Sequence, residues 1–237
     1  MKMNSQQFAL FQKQLANVIK NSAFYQKKFA GLDPASIRTQ EDFETLPFTS
    51  KGDLREAYPL GLQGVPDKDI VRIHSSSGTT GTPVVIPYTA KDVDDWGEMF
   101  KRCYEFAGVT NEDRVQITPG YGLWTAGIGF QNGCEKLGAM AIPMGPGNTE
   151  KQLQMMMDLK STVLCSTSSY ALLLAEELKS RGVTVEIADL SRTDLAQAVA
   201  KAFQYSQMVC AAPSYDGGVF PVMADFLHHL KSKSYQN

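Results

Sequence analysis

Residues 75–83 constrain the fold of this chain more than any other stretch. Ser75-Ser76-Ser77-Gly78-Thr79-Thr80-Gly81-Thr82-Pro83 carries a hydroxyl at six of its nine positions and two glycines. Ile70-Val71-Arg72-Ile73-His74 precedes it and Val84-Val85-Ile86-Pro87-Tyr88 follows it, and each run reads as a strand. Gly78 and Gly81 allow positive φ and close approach of a ligand to the backbone. Successive N–H groups in such a turn form an anion-binding concavity, to which Ser and Thr hydroxyls add donors. The anion that such a loop suits is a polyphosphate; the alternative is a polar hairpin turn. A Walker A loop is excluded, because Gly81 is followed by Thr82-Pro83 and a strand rather than by Lys and a helix.

Around this loop the sequence predicts alternating helices and strands. Phe8, Phe11, Leu15, Val18 and Ile19 fall at helical spacing, with Phe24, Tyr25 and Phe29 beyond them. Asp33-Pro34 offers a helix start, and Thr49 or Ser50 can cap a helix carrying Leu54 and Tyr58. A helix is expected from 89 to 108, capped by Thr89 or Asp92, with Val93, Trp96, Phe100, Cys103 and Tyr104 on one face. Strands follow at 115–118, 139–144 and 161–165, and a helix capped by Asn148 or Thr149 runs through 160. Strand, helix, strand, helix argues for an α/β fold.

Composition excludes several classes. With 43% hydrophobic and 20% charged residues the chain is globular in character, and 237 residues suffice for one large domain or two small ones. A formal charge of −2 argues against nucleic acid or anionic lipid as partners. No apolar run approaches the roughly 20 residues that span a bilayer, and the first residues lack a signal-peptide core. Cys103, Cys134, Cys165 and Cys210 lie in no metal or CxxC spacing, so buried structural thiols and a cytoplasmic, reduced setting are expected.

Three segments carry a resemblance. Val71-Arg72-Ile73-His74 with the loop through Gly81, Gly120-Tyr121-Gly122-Leu123-Trp124-Thr125-Ala126-Gly127, and Ile142-Pro143-Met144-Gly145-Pro146-Gly147-Asn148-Thr149-Glu150 resemble the phenylacetate–CoA ligase branch of the adenylate-forming enzymes, in that family's order and spacing. The resemblance runs from about 24 to about 168. It implies an ATP-dependent, AMP-forming acid–CoA ligase using ATP with Mg2+ and CoA on a small aromatic or organic acid. Ser76, Ser77, Gly78, Thr79, Thr80 and Gly81 would hold nucleotide phosphate. Tyr121, Gly122, Trp124, Ala126 and Gly127 would line the acid pocket, although on physical grounds both aromatics could equally fill a core. Where the family usually has Phe the chain has Trp124, a bulkier ring that narrows a pocket.

Beyond 168 a second resemblance takes over. A strand at 183–190, a helix at 194–205, a strand at 207–212, and Pro213-Ser214-Tyr215-Asp216-Gly217-Gly218-Val219-Phe220-Pro221 before a helix through Leu230 resemble part of the flavodoxin-like domain of A-type flavoproteins. In that family the loop borders FMN, which would place Ser214, Tyr215 and Gly217 near a flavin; an ordinary strand-to-helix turn is the alternative. The expected organisation is therefore α/β: residues 1–168 an incomplete N-terminal part of an adenylate-forming domain, and 169–237 a partial flavodoxin-like parallel βαβ segment, joined somewhere within 166–182. The adenine loop, ribose Asp and catalytic Lys of a full ligase find no counterpart in these 237 residues, so a truncated or fused relative with weak phosphate binding is expected. A flavin electron-transfer module and a non-enzymatic fusion remnant are the alternatives. Strand order 183–189, 161–166, 207–212 would leave an apolar edge at 208–212 and favour self-association.

Overall fold

The computed structural model describes residues 3–76, 81–205, 208, 210, 214–215 and 218–235. The chain divides into two compact units, Met1–Trp96 with Gly122–Thr125, and Gly97–Tyr121 with Ala126–Asn237. The join expected within 166–182 falls inside the second unit.

In the first unit, α1 (Ser5–Asn21) is opened by a capping box: Asn4 Oδ1 accepts from the Gln7 N–H, and Gln7 Oε1 from the Asn4 N–H, both at 2.9 Å. Its inner face buries Leu15 and sets Phe11 edge-on to Phe43. α2 (Ala23–Lys28) follows the buried Ser22, and a 3₁₀ turn over Pro34–Ser36 is capped by Asp33. α3 (Gln40–Glu44) and α4 (Lys51–Glu56) carry capping boxes from Thr39 and Ser50. Tyr58 lies past the end of α4, contrary to expectation, because a residue before proline is driven out of the helical region. β1 (Ile70–Ser75) then pairs antiparallel with β2 (Val85–Thr89). Thr89 caps α5 (Ala90–Phe106), accepting from the Asp92 N–H at 3.2 Å.

The second unit holds β3 (Arg114–Ile117), α6 (Ala126–Leu137), β4 (Met140–Pro143), α7 (Thr149–Asp158), β5 (Val163–Cys165), α8 (Ser168–Ser180), α9 (Leu195–Ala202), a short hairpin of β6 (Ser214–Tyr215) and β7 (Gly218–Val219), and α10 (Pro221–Ser232). Among the described residues its main sheet is parallel, in the order β4-β3-β5. Side chains alternate along a strand, and β3 uses both faces. Val115 and Ile117, fully buried, pack with Tyr104 of α5 and Cys134 and Phe130 of α6. Gln116 points the other way, and its Nε2 donates to Oε1 of Gln152 on α7 at 2.8 Å. Helices thus cover both faces, as in doubly wound sheets. α5 and α6 approach so closely at Gly133 that a Cβ there would stand 2.4 Å from Phe100 Cβ. A separate apolar cluster joins α9 to α10 through Val199, Ala202, Met223, Phe226 and Leu230.

Two further expectations are corrected, and a third falls mostly outside the described residues. Residues 183–189 form no strand: Glu186 is paired with Lys201, and Asp189 turns back to accept from the Ser191 N–H, so local side-chain contacts replace a ladder. The neighbour of β5 is accordingly β3, not residues 183–189. Of the expected edge strand at 207–212 only Met208 and Cys210 are described, neither in a strand, and the rest lies outside the described residues. Cys134 and Cys165 are buried as expected, but Cys103 and Cys210 are exposed.

Gln116 and Gln152 are both fully buried, and each amide is engaged: Gln152 Nε2 donates to the Gly145 carbonyl at 2.7 Å, and Ser161 Oγ donates to Gln116 Oε1 at 2.8 Å. Removing one member strands the others at about 1–3 kcal/mol each, whereas replacing both partners by apolar groups costs far less. Gln152→Leu should therefore lower the urea-unfolding free energy by about 2–3 kcal/mol. Gln116→Leu/Gln152→Leu should lose clearly less than the two single losses added together; strict additivity would rule the network out.

Candidate functional site

The expected phosphate loop is carried by the β1–β2 hairpin of the first unit. Ser76 closes its neck: the Ser76 N–H donates to the Val84 carbonyl at 3.0 Å, and Ser76 Oγ accepts from the Val84 N–H at 2.9 Å. The Ser76 hydroxyl proton remains able to donate to a second partner. Gly81 at the far side of the loop has φ +130°, in open space, a conformation side chains rarely adopt. Ser77, Gly78, Thr79 and Thr80 lie outside the described residues.

The same unit includes Gly122–Thr125. The Leu123 carbonyl accepts the Ser75 N–H at 2.9 Å and lies 3.0 Å from His74 Nδ1, so a segment assigned to the acid pocket is tied to the base of the loop. Trp124 is 54% exposed and Leu123 59% exposed. Trp124 therefore fills no core, and that alternative falls. His74 is itself buried, edge-on to Trp96 and Tyr88.

In the second unit the loops after all three parallel strands meet at the carboxyl edge of the sheet, where open α/β sheets bind ligands. The Thr118 N–H and Oγ both donate to the Cys165 carbonyl at 3.0 Å, and the Gly145 N–H donates to the Ile117 carbonyl at 3.0 Å. Tyr121 stands over this edge: Cβ atoms built at Gly127 and Gly145 would lie 2.9 and 3.8 Å from its Cδ2. Gly127 admits no side chain, since its Cβ would also meet the Gly120 carbonyl at 2.7 Å. Ala126 begins α6. Ser214 and Tyr215 form β6, paired with Val219 and Gly218 in a hairpin rather than a simple strand-to-helix turn, and Gly217 lies outside the described residues. Among the described residues no group of three or more His, Cys, Asp or Glu could hold a metal, and no helix is long and apolar enough to cross a membrane.

Sequence reasoning did not find the ties from His74 and Ser75 to Leu123, nor the Gln116–Gln152 pair. A glutamine between Val115 and Ile117 in a buried strand was the available signal, since a buried amide demands a partner.

Burial, and then the nearby Glu135 carboxylate, pushes the Tyr121 phenol up to about 12. An unfolded tyrosine ionises near 10, so between these values the unfolded chain loses a proton that the folded chain keeps. Tyr121 thus contributes stability below pH 10 that is lost as pH rises towards 12. Ultraviolet titration at 295 nm should show a phenol ionising well above the ordinary range, and Tyr121→Phe should remove it. An unchanged titration curve in that variant would contradict the raised phenol.

No known family model matches the chain. Curated relatives do. The chain is 42% identical over 167 residues to phenylacetate–coenzyme A ligase of Escherichia coli (strain K12), covering 70% of this chain and 38% of that protein. To the enzyme of the same name from Pseudomonas putida it is 41% identical over 171 residues, or 71% and 39% of the two chains. To that of Aromatoleum evansii it is 38% identical over 202 residues, or 84% and 45%. Among solved structures, 2-hydroxyisobutyryl-CoA ligase in complex with 2-HIB-AMP and CoA in the thioesterification state superposes with a TM-score of 0.68 at 27% identity, covering 77% of this chain and 42% of that one. The chain spans less than half the length of the relatives it matches. Within that span it is related by sequence and by fold to the acyl-CoA ligases of the adenylate-forming kind.

Proposed function

We propose that these 237 residues form the phosphate-holding and part of the acid-binding portion of an ATP-dependent, AMP-forming acid–CoA ligase, and that the polypeptide by itself binds nucleotide phosphate only weakly. The observation that carries this reading is the hydroxyl-rich loop held at a two-strand neck, with the Leu123 carbonyl of the adjoining aromatic segment bonded to its base. The relatives' shared activity and the AMP adduct and CoA in the solved neighbour support the same chemistry.

In that chemistry the carboxylate oxygen attacks the α-phosphorus of ATP and pyrophosphate leaves. The CoA thiol then adds to the acyl carbon, loses its proton, and expels AMP. The loop's part is to position phosphates and offset charge as it develops, through the hydroxyls of Ser76, Ser77, Thr79 and Thr80 and the N–H groups of Gly78 and Gly81. By the resemblance, the acid would be met in the first unit by the segment that holds Gly122 and Trp124. Mg2+, bound to the nucleotide phosphates, would join the loop in offsetting the developing charge. Adenine, ribose and lysine contacts come, by the resemblance, from the part of the ligases outside the matched stretch.

Phosphate contacts alone support binding in the millimolar range, about −4 kcal/mol. Calorimetry with ATP and with pyrophosphate should show such binding, weakened further in Gly81→Val. ATP–pyrophosphate exchange with phenylacetate should stay at the blank. Absence of any binding would overturn the phosphate assignment. Micromolar ATP affinity, or exchange abolished by Gly81→Val, would overturn the weak-binding half and leave the ligase assignment standing.

A further inference from the structure

His74 is a polar side chain only 2% exposed at the end of β1, immediately before the loop. The Trp96 and Tyr88 rings meet it edge-on, with centroids 4.8 and 5.4 Å away, and stack on one another. Its Nδ1 stands 3.0 Å from the Leu123 carbonyl, which can only accept, so Nδ1 carries the hydrogen of that bond. The Ser75 N–H donates to the same oxygen, and the two donors together occupy both of its lone pairs. His74 Nε2 is buried with no partner among the described residues. The aromatic cage therefore fixes the ring plane, while one ring nitrogen makes a single directed bond across 49 residues of chain. Its target sits in a segment whose own side chains do little to anchor it, since Leu123 and Trp124 are more than half exposed.

We propose that His74 is a positioning residue: by donating from Nδ1 to the Leu123 carbonyl it locks Gly122–Thr125 to the base of the 75–81 loop, so that acid occupancy and phosphate occupancy are coupled. The coupling rests on the function proposed above; the lock itself does not. A ring that only filled space would need no donor at Nδ1, and a nonpolar ring of the same size would serve the cage as well. Movement of the Gly122–Thr125 backbone draws on Ser75, which opens the loop, and a ligand that holds Ser75 and Ser76 in place holds Leu123 with them. Binding either ligand then favours the backbone position that the other requires, which is positive coupling in both directions.

The test uses the full chain labelled with 5-fluorotryptophan, in which Trp96 and Trp124 give the only two fluorine resonances. His74→Asn keeps an amide donor near the Nδ1 position, whereas His74→Gln moves it to the Nε2 position and His74→Leu removes it. Loss of the bond should speed amide exchange over Gly122–Thr125 by about tenfold in His74→Leu and His74→Gln. It should also move the Trp124 resonance with little change at Trp96, and His74→Asn should restore both readouts. If His74→Leu does not fold, the Asn and Gln variants, both polar, decide the matter alone. In wild type and His74→Asn, pyrophosphate should tighten phenylacetate binding severalfold, and in His74→Gln each should bind with no effect on the other. Exchange within twofold of wild type in His74→Gln, or His74→Asn behaving like it, would overturn the lock. If wild-type protein binds neither pyrophosphate nor phenylacetate, the proposed function and the coupling fall, while the exchange and fluorine readouts still decide the lock.

Discussion

A buried amide pair, Gln116 with Gln152, organises the second unit. An amide removed from water without partners costs several kcal/mol on transfer scales, so a glutamine placed between Val115 and Ile117 must find partners or weaken the sheet. Its amide N–H finds partners on α7, and α7 then has a single rotational setting on that face of β3. Gln152 in turn donates from Nε2 to the Gly145 carbonyl, which fixes the turn between β4 and α7. Ser161, leading into β5, supplies the remaining bond to Gln116. One network thus sets the register of a helix, the path of a turn and the approach of a neighbouring strand. Apolar packing could supply the adhesion, but it has no direction and would not choose among these settings.

The opposite face of β3 is fixed by shape instead. Gly133 lets α6 lie against Phe100 of α5, and Tyr104 fills the remaining depth with its hydroxyl directed to the Phe130 carbonyl and Cys165 Sγ, each at 3.2 Å. With one face held by amides and the other by close-packed rings, the carboxyl ends of β3, β4 and β5 are brought to one edge. Tyr121 is then defined by what cannot be there: Gly127 and Gly145 lack the side chains that would displace its ring. In the first unit the same end is reached by different means, a serine hydroxyl at a hairpin neck and two donors converging on the Leu123 carbonyl.

Much of this was legible because β-branched and aromatic runs bounded by Gly, Pro and Asn mark short strands. Ile70-Val71, Val115, Ile117 and Val163-Leu164-Cys165 lie in strands within one or two residues of expectation. The caps at Asn148, Ser50 and Thr89 each fell on one of two expected neighbours, since a side-chain oxygen before an apolar-periodic run has one obvious use. Val183, Val185 and Ile187 alternate as a strand should, yet form none, because alternation specifies a face and not a partner to pair with. The exposure of Trp124 was similarly hidden: a tryptophan among glycines reads alike in a core and at a site. His74 was read as the end of a strand, for nothing local shows that its ring bonds a residue 49 positions away.

The two halves of the proposed site differ in how much protein they require. Phosphate recognition needs N–H groups and hydroxyls within a few residues of one another, so a hairpin with a closed neck can carry it unaided. An acid pocket must enclose most of its ligand in apolar wall, and the aromatic side chains available here stand open: Trp124 at 54% and Tyr121 at 39% exposure. On the proposed reading, affinity for the anion would be a local property of the loop, whereas affinity for the acid would depend on surfaces beyond the open Trp124. On the same reading, the ring that would decide which acid fits is Trp124, which stands where the resemblance leads one to expect Phe. Its effect on selectivity appears only when a second wall faces it, because an open indole offers contact to one side of a ligand and sets no upper limit on its size.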